Sequence, residues 1–214
     1  MRISHRYRFV FFANPKTGSS TVRQLLDPYT DVHPVRNFCE RTAANPFYPH
    51  MRPEEARPLF DDFGWDFDGY TKFTFVRNPW ARLVSLYEHV HRRVTAPPPF
   101  SRWVQSVRPY GEGGGGQPWE RWRRYGAYSI ERFIKDAAGA VLVDRVLRLE
   151  DIDQALPPFL EALGLPVAAE TLLARRNRRT RTRPYADYYT PAAVEYVRDL
   201  YRYDIVHYGY EFGG

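Results

Sequence analysis

Two short, mostly apolar runs in the chain are each followed by a polar turn and an amphipathic stretch. Residues 9–13 are apolar throughout and predict a buried strand, and residues 19–26 place apolar side chains at helical spacing. Residues 73–76 predict a second strand, and residues 79–93 a second helix. Asn78 is placed to cap this helix, and the proline after it suits the first helical position. The pattern of strand, turn and helix therefore occurs twice.

The rest of the pattern predicts an α/β protein. Residues 28–53 are rich in proline and polar residues and predict an irregular stretch. Strands that alternate with helices are typical of a parallel sheet covered by helices. We expect a single domain over residues 1–214, P-loop-like and three-layered, with a central, mostly parallel sheet flanked by helices. The other predicted elements are helices over 53–63, 130–138, 154–163 and 191–203, the last capped by Thr190, and a strand over 141–149.

Residues 95–118 carry many prolines and glycines, including four consecutive glycines at 113–116. The entropic cost of ordering glycine predicts a mobile loop there. Two interpretations stay open, a solvated insertion or a lid over substrate. The lid is attractive because Trp103, Trp119 and Trp122 on the flanks could stack on sugar rings.

Composition fits one globular chain. Hydrophobic residues make up 43% of the 214 residues, enough for a sizeable core, while no apolar run is long enough to span a membrane. The N-terminal residues show no signal-peptide pattern, so the cytoplasm is the expected compartment. Cys39 is the only cysteine, which excludes intrachain disulfides and a multi-cysteine metal site.

The chain is basic, with a net charge of +6 and an isoelectric point near 9.5. This predicts an anionic partner, but charge alone does not separate a nucleotide from a polysaccharide or a nucleic acid. Only 3 of the 31 basic residues are lysines, and one of them, Lys16, lies in the first turn. A compact ammonium group can follow a single oxygen during bond breaking better than a planar guanidinium can.

Both turns carry the residues of an anion site. In the first, Lys16, Gly18 and several hydroxyl residues precede a helix start, where backbone N–H groups can hold phosphate or sulfate. In the second, Arg77 follows a predicted strand, at the edge where open α/β sheets bind nucleotides, and can grip a terminal phosphate. Ser85 can add a hydroxyl contact. Arg82 either converges with Ser85 or is a solvated or ion-paired surface residue.

The stretch Pro15-Lys-Thr-Gly-Ser-Ser-Thr21, together with Arg77 and Ser85, resembles the sulfotransferase superfamily. That superfamily moves a sulfuryl group from 3′-phosphoadenosine-5′-phosphosulfate (PAPS) to an acceptor. The resemblance implies that Arg77 and Ser85 bind the 3′-phosphate. We expect no metal, because a sulfuryl group carries less charge than a phosphoryl group and positioned cations can stabilise its transfer. The residues implied to bind the 5′-phosphosulfate are Lys16, Thr17, Gly18, Ser19, Ser20 and Thr21, and Lys16 is implied to be catalytic.

The closer likeness is to carbohydrate sulfotransferases of the heparan 2-O- and chondroitin types, and it spans residues 9–212. It implies a hydroxyl acceptor, with carbohydrate as its class. It rests on the strings at residues 75–87, 148–152, 183–189 and 204–212.

The acceptor hydroxyl needs a base, and histidine is the usual one near neutral pH. Among six histidines, His50 precedes Arg77 by 27 residues. The heparan 2-O-type enzymes carry a catalytic histidine there, so the resemblance implies His50 as the base. His33 and Glu150 are the alternatives, and Glu150 could instead brace an arginine or the acceptor.

Six arginines crowd residues 175–183. Such a charge run is usually a solvated face. The resemblance implies that Arg183 and Tyr185 close over the nucleotide, while the other arginines could recruit an acidic acceptor. No known RNA- or DNA-binding motif is present, so we expect no nucleic-acid partner.

Two other functions stay open. A P-loop kinase-like phosphotransferase would need Gly-x-x-x-x-Gly-Lys-Ser/Thr, whereas Lys16 precedes Gly18 here. A non-enzymatic polyanion-binding protein would use the arginine clusters but would not need Lys16 or Ser85. The sequence leaves the oligomeric state open.

Overall fold

A computed structural model of the chain describes residues 1–108, 127–166 and 183–214. Within these residues, short strands alternate with helices. The strands are β1 (Arg2–Ser4), β2 (Phe9–Phe11), β3 (Thr71–Val76) and β4 (Arg145–Arg148). The α-helices are α1 (Ser19–Leu26), α2 (Pro53–Asp62), α3 (Pro79–His91), α4 (Phe100–Gln105), α5 (Ile130–Ile134), α6 (Ile152–Ala162), α7 (Pro191–Leu200) and α8 (Arg202–Tyr208). Short 3-10 helices cover Asp27–Tyr29, Phe38–Glu40, Phe67–Gly69 and Tyr185–Tyr188.

The chain divides into two compact units. The first comprises Met1–Val76 and Phe133–Arg178, and the second comprises Arg77–Arg132 and Arg179–Gly214, as far as these ranges are described. Neither unit is continuous in sequence. The chain therefore passes from one unit to the other three times.

The sheet belongs to the first unit and has the strand order β1-β2-β3-β4. β1 pairs antiparallel with β2, whereas β2 and β4 both pair parallel with β3. The register sets Phe11 opposite Phe73 and Phe75 opposite Leu147. This mostly parallel sheet, with helices packed on it, confirms the predicted α/β class.

One face of this sheet carries the main core of the first unit. Side chains alternate between faces along a strand, so Phe9 and Phe11 of β2 point to the same side as Phe73 and Phe75 of β3. The rings of Phe11 and Phe73 lie 5.1 Å apart, centroid to centroid. Helices α1 and α6 cover this face, and α1 is thereby fixed against the strand that precedes it. The buried members of the core are Phe9, Phe11, Ala13, Val22, Leu25, Leu26, Phe73, Phe75, Leu156, Leu160 and Leu165.

The second unit is built around α3. Asn78 and Thr190 cap α3 and α7, each accepting a hydrogen bond from the N–H of the third helical residue, at 3.2 and 3.3 Å. Both caps were predicted and are confirmed. The buried indole of Trp80 donates from Nε1 to the Val194 carbonyl at 3.2 Å, which ties α3 to α7.

The prediction of a loop over residues 95–118 was wrong at Phe100–Gln105, which form helix α4. Phe100, Trp103 and Val104 form the buried face of this helix, and the high proline content around it hid the helical spacing. Trp103 is only 2% exposed, so its ring is not available to stack on a sugar. The glycine run, Trp119 and Trp122 lie outside the described residues.

Other predicted boundaries differ at their ends. The helix predicted over 191–203 is interrupted at Tyr201, where the backbone leaves helical geometry between α7 and α8. Tyr201 is buried and its hydroxyl donates to the Ala127 carbonyl at 2.6 Å. The strand predicted over 141–149 shortens to β4, and the helix predicted over 130–138 ends at Ile134.

Candidate active site

The turn between β2 and α1 is shaped by two residues with positive φ. Lys16 has a φ of 64° and Gly18 a φ of 73°. The left-handed region is uncommon for a residue with a side chain, so the backbone of Lys16 carries a conformational cost. A Cβ on Gly18 would lie 2.5 Å from Cδ1 of Leu149, so glycine also suits the space. Turns that enter the left-handed region form concavities whose N–H groups bind anions.

Hydrogen bonds to the sheet hold the start of this turn. The buried Asn14 donates from Nδ2 to the Phe75 carbonyl at 3.2 Å, and Thr17 Oγ1 donates to the Asn14 carbonyl at 2.9 Å. Thr74 Oγ1 donates to the Phe12 carbonyl at 2.7 Å. Because the Thr17 hydroxyl is used within the turn, the donor that Thr17 offers an anion is its backbone N–H. The turn is thus preorganised by strand β3.

Helix α1 begins without a side-chain cap from the described residues. Gly18 is the N-cap residue, and the first turn holds no acidic side chain. The N–H groups of that turn and the helix dipole together favour an anion. Ser19 is buried, Thr21 is half-buried and Ser20 is exposed. Ser20 therefore presents its hydroxyl group at the helix start.

His50 contacts the segment between β2 and this turn. Its Nδ1 lies 2.7 Å from the carbonyl oxygen of Ala13, and because a carbonyl only accepts, Nδ1 carries the proton and Nε2 the lone pair. Burial lowers the pKa of His50 from 6.5 to about 3, the bond to Ala13 opposes this, and the charges of the N-terminal amine, Arg23 and Lys16 lower it further. His50 is therefore a neutral imidazole at neutral pH, in the tautomer required of a base acting through Nε2.

The two alternative bases, His33 and Glu150, are exposed residues of the same unit. His33 lies in an irregular segment, where its carbonyl accepts from Asn45 Nδ2 at 3.0 Å. Glu150 follows the end of β4. His50, by contrast, lies next to the turn through its contact with the Ala13 carbonyl.

Arg77 begins the second unit. It directly follows β3 and precedes the cap of α3, and its side chain is half-buried. Ser85, also half-buried, lies in the second turn of α3. The Asn78 side chain that caps α3 also donates from Nδ2 to the Glu211 carbonyl at 3.0 Å. This double use of Asn78 fixes the backbone next to Arg77.

Arg82 is in the interior of the second unit, so its interpretation as a surface residue was wrong. The residue is 1% exposed and its Nη1 donates to the Tyr128 carbonyl. Asp204, also buried, accepts the Ile130 N–H with both carboxylate oxygens, at 2.9 and 3.0 Å. Burial raises the pKa of Asp204 to about 7, and the charge of Arg82 opposes that rise. The burial of Arg82 is determined by tertiary contacts, which the local sequence pattern does not encode.

Arg183 and Tyr185 both make contacts within the second unit. The exposed Arg183 donates to the Asp187 carbonyl, and its guanidinium lies 4.5 Å from the ring centroid of Tyr188. The Tyr185 hydroxyl accepts from the Gly213 N–H at 2.8 Å. The arginines between 175 and 181 lie outside the described residues.

A family model described as the sulfotransferase family matches residues 1–211. The chain belongs to the sulfotransferase family. This membership makes it an enzyme of sulfuryl transfer, with a sulfuryl donor and a hydroxyl-type acceptor. A comparison with curated proteins finds no match, and neither does a comparison with solved structures.

Sequence reasoning missed three residues around the turn between β2 and α1 of this sulfotransferase. Asn14 and Thr74 hold the turn through contacts set by the parallel register of β2 and β3, which the sequence does not give. Arg23 donates to Ser19 and Ser20 at the start of α1. The sequence signal that could have identified Arg23 was its position on the amphipathic stretch, seven residues after Lys16.

The described residues contain no group of three His, Cys, Asp or Glu side chains arranged to hold a metal ion. Cys39 is exposed. No helix in the described part of the chain combines the length and apolarity needed to cross a membrane.

Proposed function

We propose that this sulfotransferase uses PAPS as its donor and transfers the sulfuryl group to a hydroxyl of a carbohydrate. The observation that carries the proposal is the preorganised turn from Pro15 to Thr21, which opens on an uncapped helix start. Its N–H groups and the ammonium of Lys16 suit a 5′-phosphosulfate. The bound group would be held by Lys16, Thr17, Gly18, Ser19, Ser20 and Thr21.

Lys16 is proposed to stabilise the leaving group. As the acceptor oxygen bonds to sulfur, the bond between sulfur and the bridging phosphate oxygen breaks, and negative charge grows on that oxygen. An ammonium placed beside it stabilises this charge more in the transition state than in the ground state, which is the requirement for catalysis. The left-handed backbone of Lys16 is consistent with strain retained at a functional position.

His50 is proposed to take the proton of the acceptor hydroxyl on Nε2. The hydrogen bond from Nδ1 to Ala13 supports this because it fixes the required tautomer. A pKa of about 3 makes a weak base, but an anion bound at the turn favours the imidazolium and raises that pKa. The base would therefore strengthen when the donor is in place.

Arg77 and Ser85 are proposed to hold the 3′-phosphate, and Arg183 and Tyr185 to cover the nucleotide. The half-buried Arg77 next to the end of a parallel strand supports the first role, because nucleotides bind at that edge of α/β sheets. The roles of Arg183 and Tyr185 rest on the family resemblance.

We further propose that residues 1–214 act as one sulfotransferase domain, since the family match runs through both units. Carbohydrate as the acceptor class rests on the resemblance of four sequence strings to the heparan 2-O- and chondroitin-type branch. The cytoplasm, a mechanism without metal and the absence of a nucleic-acid partner stay predictions from the sequence.

The proposal is tested by measuring sulfate transfer from PAPS to desulfated glycosaminoglycans and to a simple phenol. In Lys16→Ala we expect turnover to fall by about 10²–10³-fold, the usual loss when one group that stabilises a transition-state oxyanion is removed. Affinity for adenosine 3′,5′-bisphosphate should be partly kept, because backbone donors remain. Lys135→Ala, which alters another of the three lysines, is the control and should retain turnover.

No PAPS-dependent transfer to any acceptor would contradict the proposal. Equal turnover in Lys16→Ala and the wild type would remove Lys16 from the mechanism. Transfer to the phenol but to no glycosaminoglycan would keep the sulfotransferase and overturn carbohydrate as the acceptor.

A further inference from the structure

Arg23 lies one helical turn after the uncapped start of α1 and reaches back to it. Its Nε donates to the Ser19 carbonyl at 3.3 Å, and its Nη2 donates to Ser20 Oγ at 3.4 Å. The side chain is half-buried. Asp27, the acid that acts on Arg23, is itself ion-paired with Arg2. The guanidinium is therefore committed to the first turn of α1.

The contact with Arg23 fixes the polarity of the Ser20 hydroxyl. A guanidinium has donors and no acceptor, so Ser20 Oγ accepts and its hydrogen is directed to a different partner. Ser20 is exposed in the turn whose N–H groups favour an anion. Without Arg23, a serine hydroxyl in a helix readily bonds to its own backbone. Arg23 thereby keeps the Ser20 hydroxyl available as a donor at the helix start.

We propose that Arg23 is a positioning residue for sulfuryl transfer, which turns the Ser20 hydroxyl towards the anionic 5′ group of the donor. This inference rests on the proposed function. It assigns to Arg23 a role outside the residues that touch the donor, exerted through Ser20.

The contact with Ser20 is tested by a double-mutant cycle in the binding of adenosine 3′,5′-bisphosphate, measured by calorimetry. Met and Lys match Arg in helix propensity, so Arg23→Met and Arg23→Lys should preserve α1. We expect Arg23→Met and Ser20→Ala each to weaken binding about fivefold to tenfold, the value of one hydrogen bond. The double variant should be no weaker than the weaker single one. Losses that multiply in the double variant would overturn the proposal.

Arg23→Lys keeps a cationic donor at this position and should restore most of the binding that is lost in Arg23→Met. A purely structural contribution of the side chain to α1 would not give this rescue. Arg57→Met, at an exposed ion pair of α2, is the matched control and should bind the bisphosphate as the wild type does.

A wild-type protein that does not bind the bisphosphate would contradict the proposed function. Wild-type binding that is unchanged in Arg23→Met would contradict the role of Arg23 alone.

Discussion

Asp204 carries a buried carboxylate whose two oxygens accept the N–H of Ile130. Burial raises the pKa of this group to about 7, although the charge of Arg82 and the bond from Ile130 lower it. A carboxylate whose pKa is higher in the folded than in the unfolded protein stabilises the fold below the unfolded value, near 3.9. That contribution is lost as the pH rises through about 7.

Asp204→Asn should remove this pH dependence while keeping one acceptor for the Ile130 N–H. We expect the free energy of unfolding of the wild type, relative to the variant, to fall by up to about 4 kcal/mol between pH 4 and pH 7. Urea unfolding at a series of pH values measures it. The contributions of other titrating groups cancel when the free energies of unfolding of the two proteins are subtracted. A difference in free energy of unfolding that does not change with pH would therefore contradict the buried state of Asp204.

At the residue scale, the sequence predicted an anion-binding turn from the types and spacing of Lys16 and Gly18. The structure places both residues at positive φ between β2 and α1, and their binding of an anion stays a prediction. The sequence could not give the tautomer of His50 or the burial of Arg82, since each depends on a partner more than 35 residues away along the chain. Lys72, also buried, donates to the Tyr70 carbonyl at 2.8 Å, which composition alone did not indicate.

The junction of β3 and α3 is an element-scale feature that can be tested through its cap. Asn78 caps α3 and also bonds to Glu211, whereas Thr190 caps α7 through one hydrogen bond. A lost cap costs about 0.5–2 kcal/mol, and Asn78→Ala loses a further bond from a buried side chain. We therefore expect Asn78→Ala to lower the free energy of unfolding by about 2–3 kcal/mol, and Thr190→Ala by about 1 kcal/mol.

Chemical unfolding of the two variants under identical conditions measures this difference. Thr190→Ala is the matched control because it removes a cap of the same kind without the second contact. Equal losses would show that the bond to Glu211 contributes nothing to the junction that precedes α3.

The sequence predicted regular, uninterrupted helices better than short or interrupted ones. α1 was predicted with both of its ends, because a glycine precedes it and its apolar spacing is regular. α4 was missed because a six-residue helix among prolines gives too few turns for a period to show. The break at Tyr201 has no glycine or proline to mark it, and it coincides with a buried tyrosine that bonds to Ala127.

At the scale of the whole molecule, the two turns that were predicted to bind anions belong to different units of one chain, which crosses between the units three times. The family match includes both turns. Membership in the sulfotransferase family could be predicted from the two turns because each turn is a contiguous run of residues of characteristic types. The identity of the acceptor could not be predicted, since the acceptor is selected by side chains outside the turns.

The most direct test of the account is thermal unfolding of the intact chain with adenosine 3′,5′-bisphosphate, with ADP plus Mg²⁺, and with no ligand. Ligand at 100 times its Kd stabilises by about 2.7 kcal/mol, and each kcal/mol shifts Tm by roughly 2–4 °C at this size. We predict a rise of several degrees with the bisphosphate alone, without metal. No rise with the bisphosphate, or a larger one with ADP plus Mg²⁺, would contradict a PAPS site and favour the polyanion-binding or kinase-like alternative.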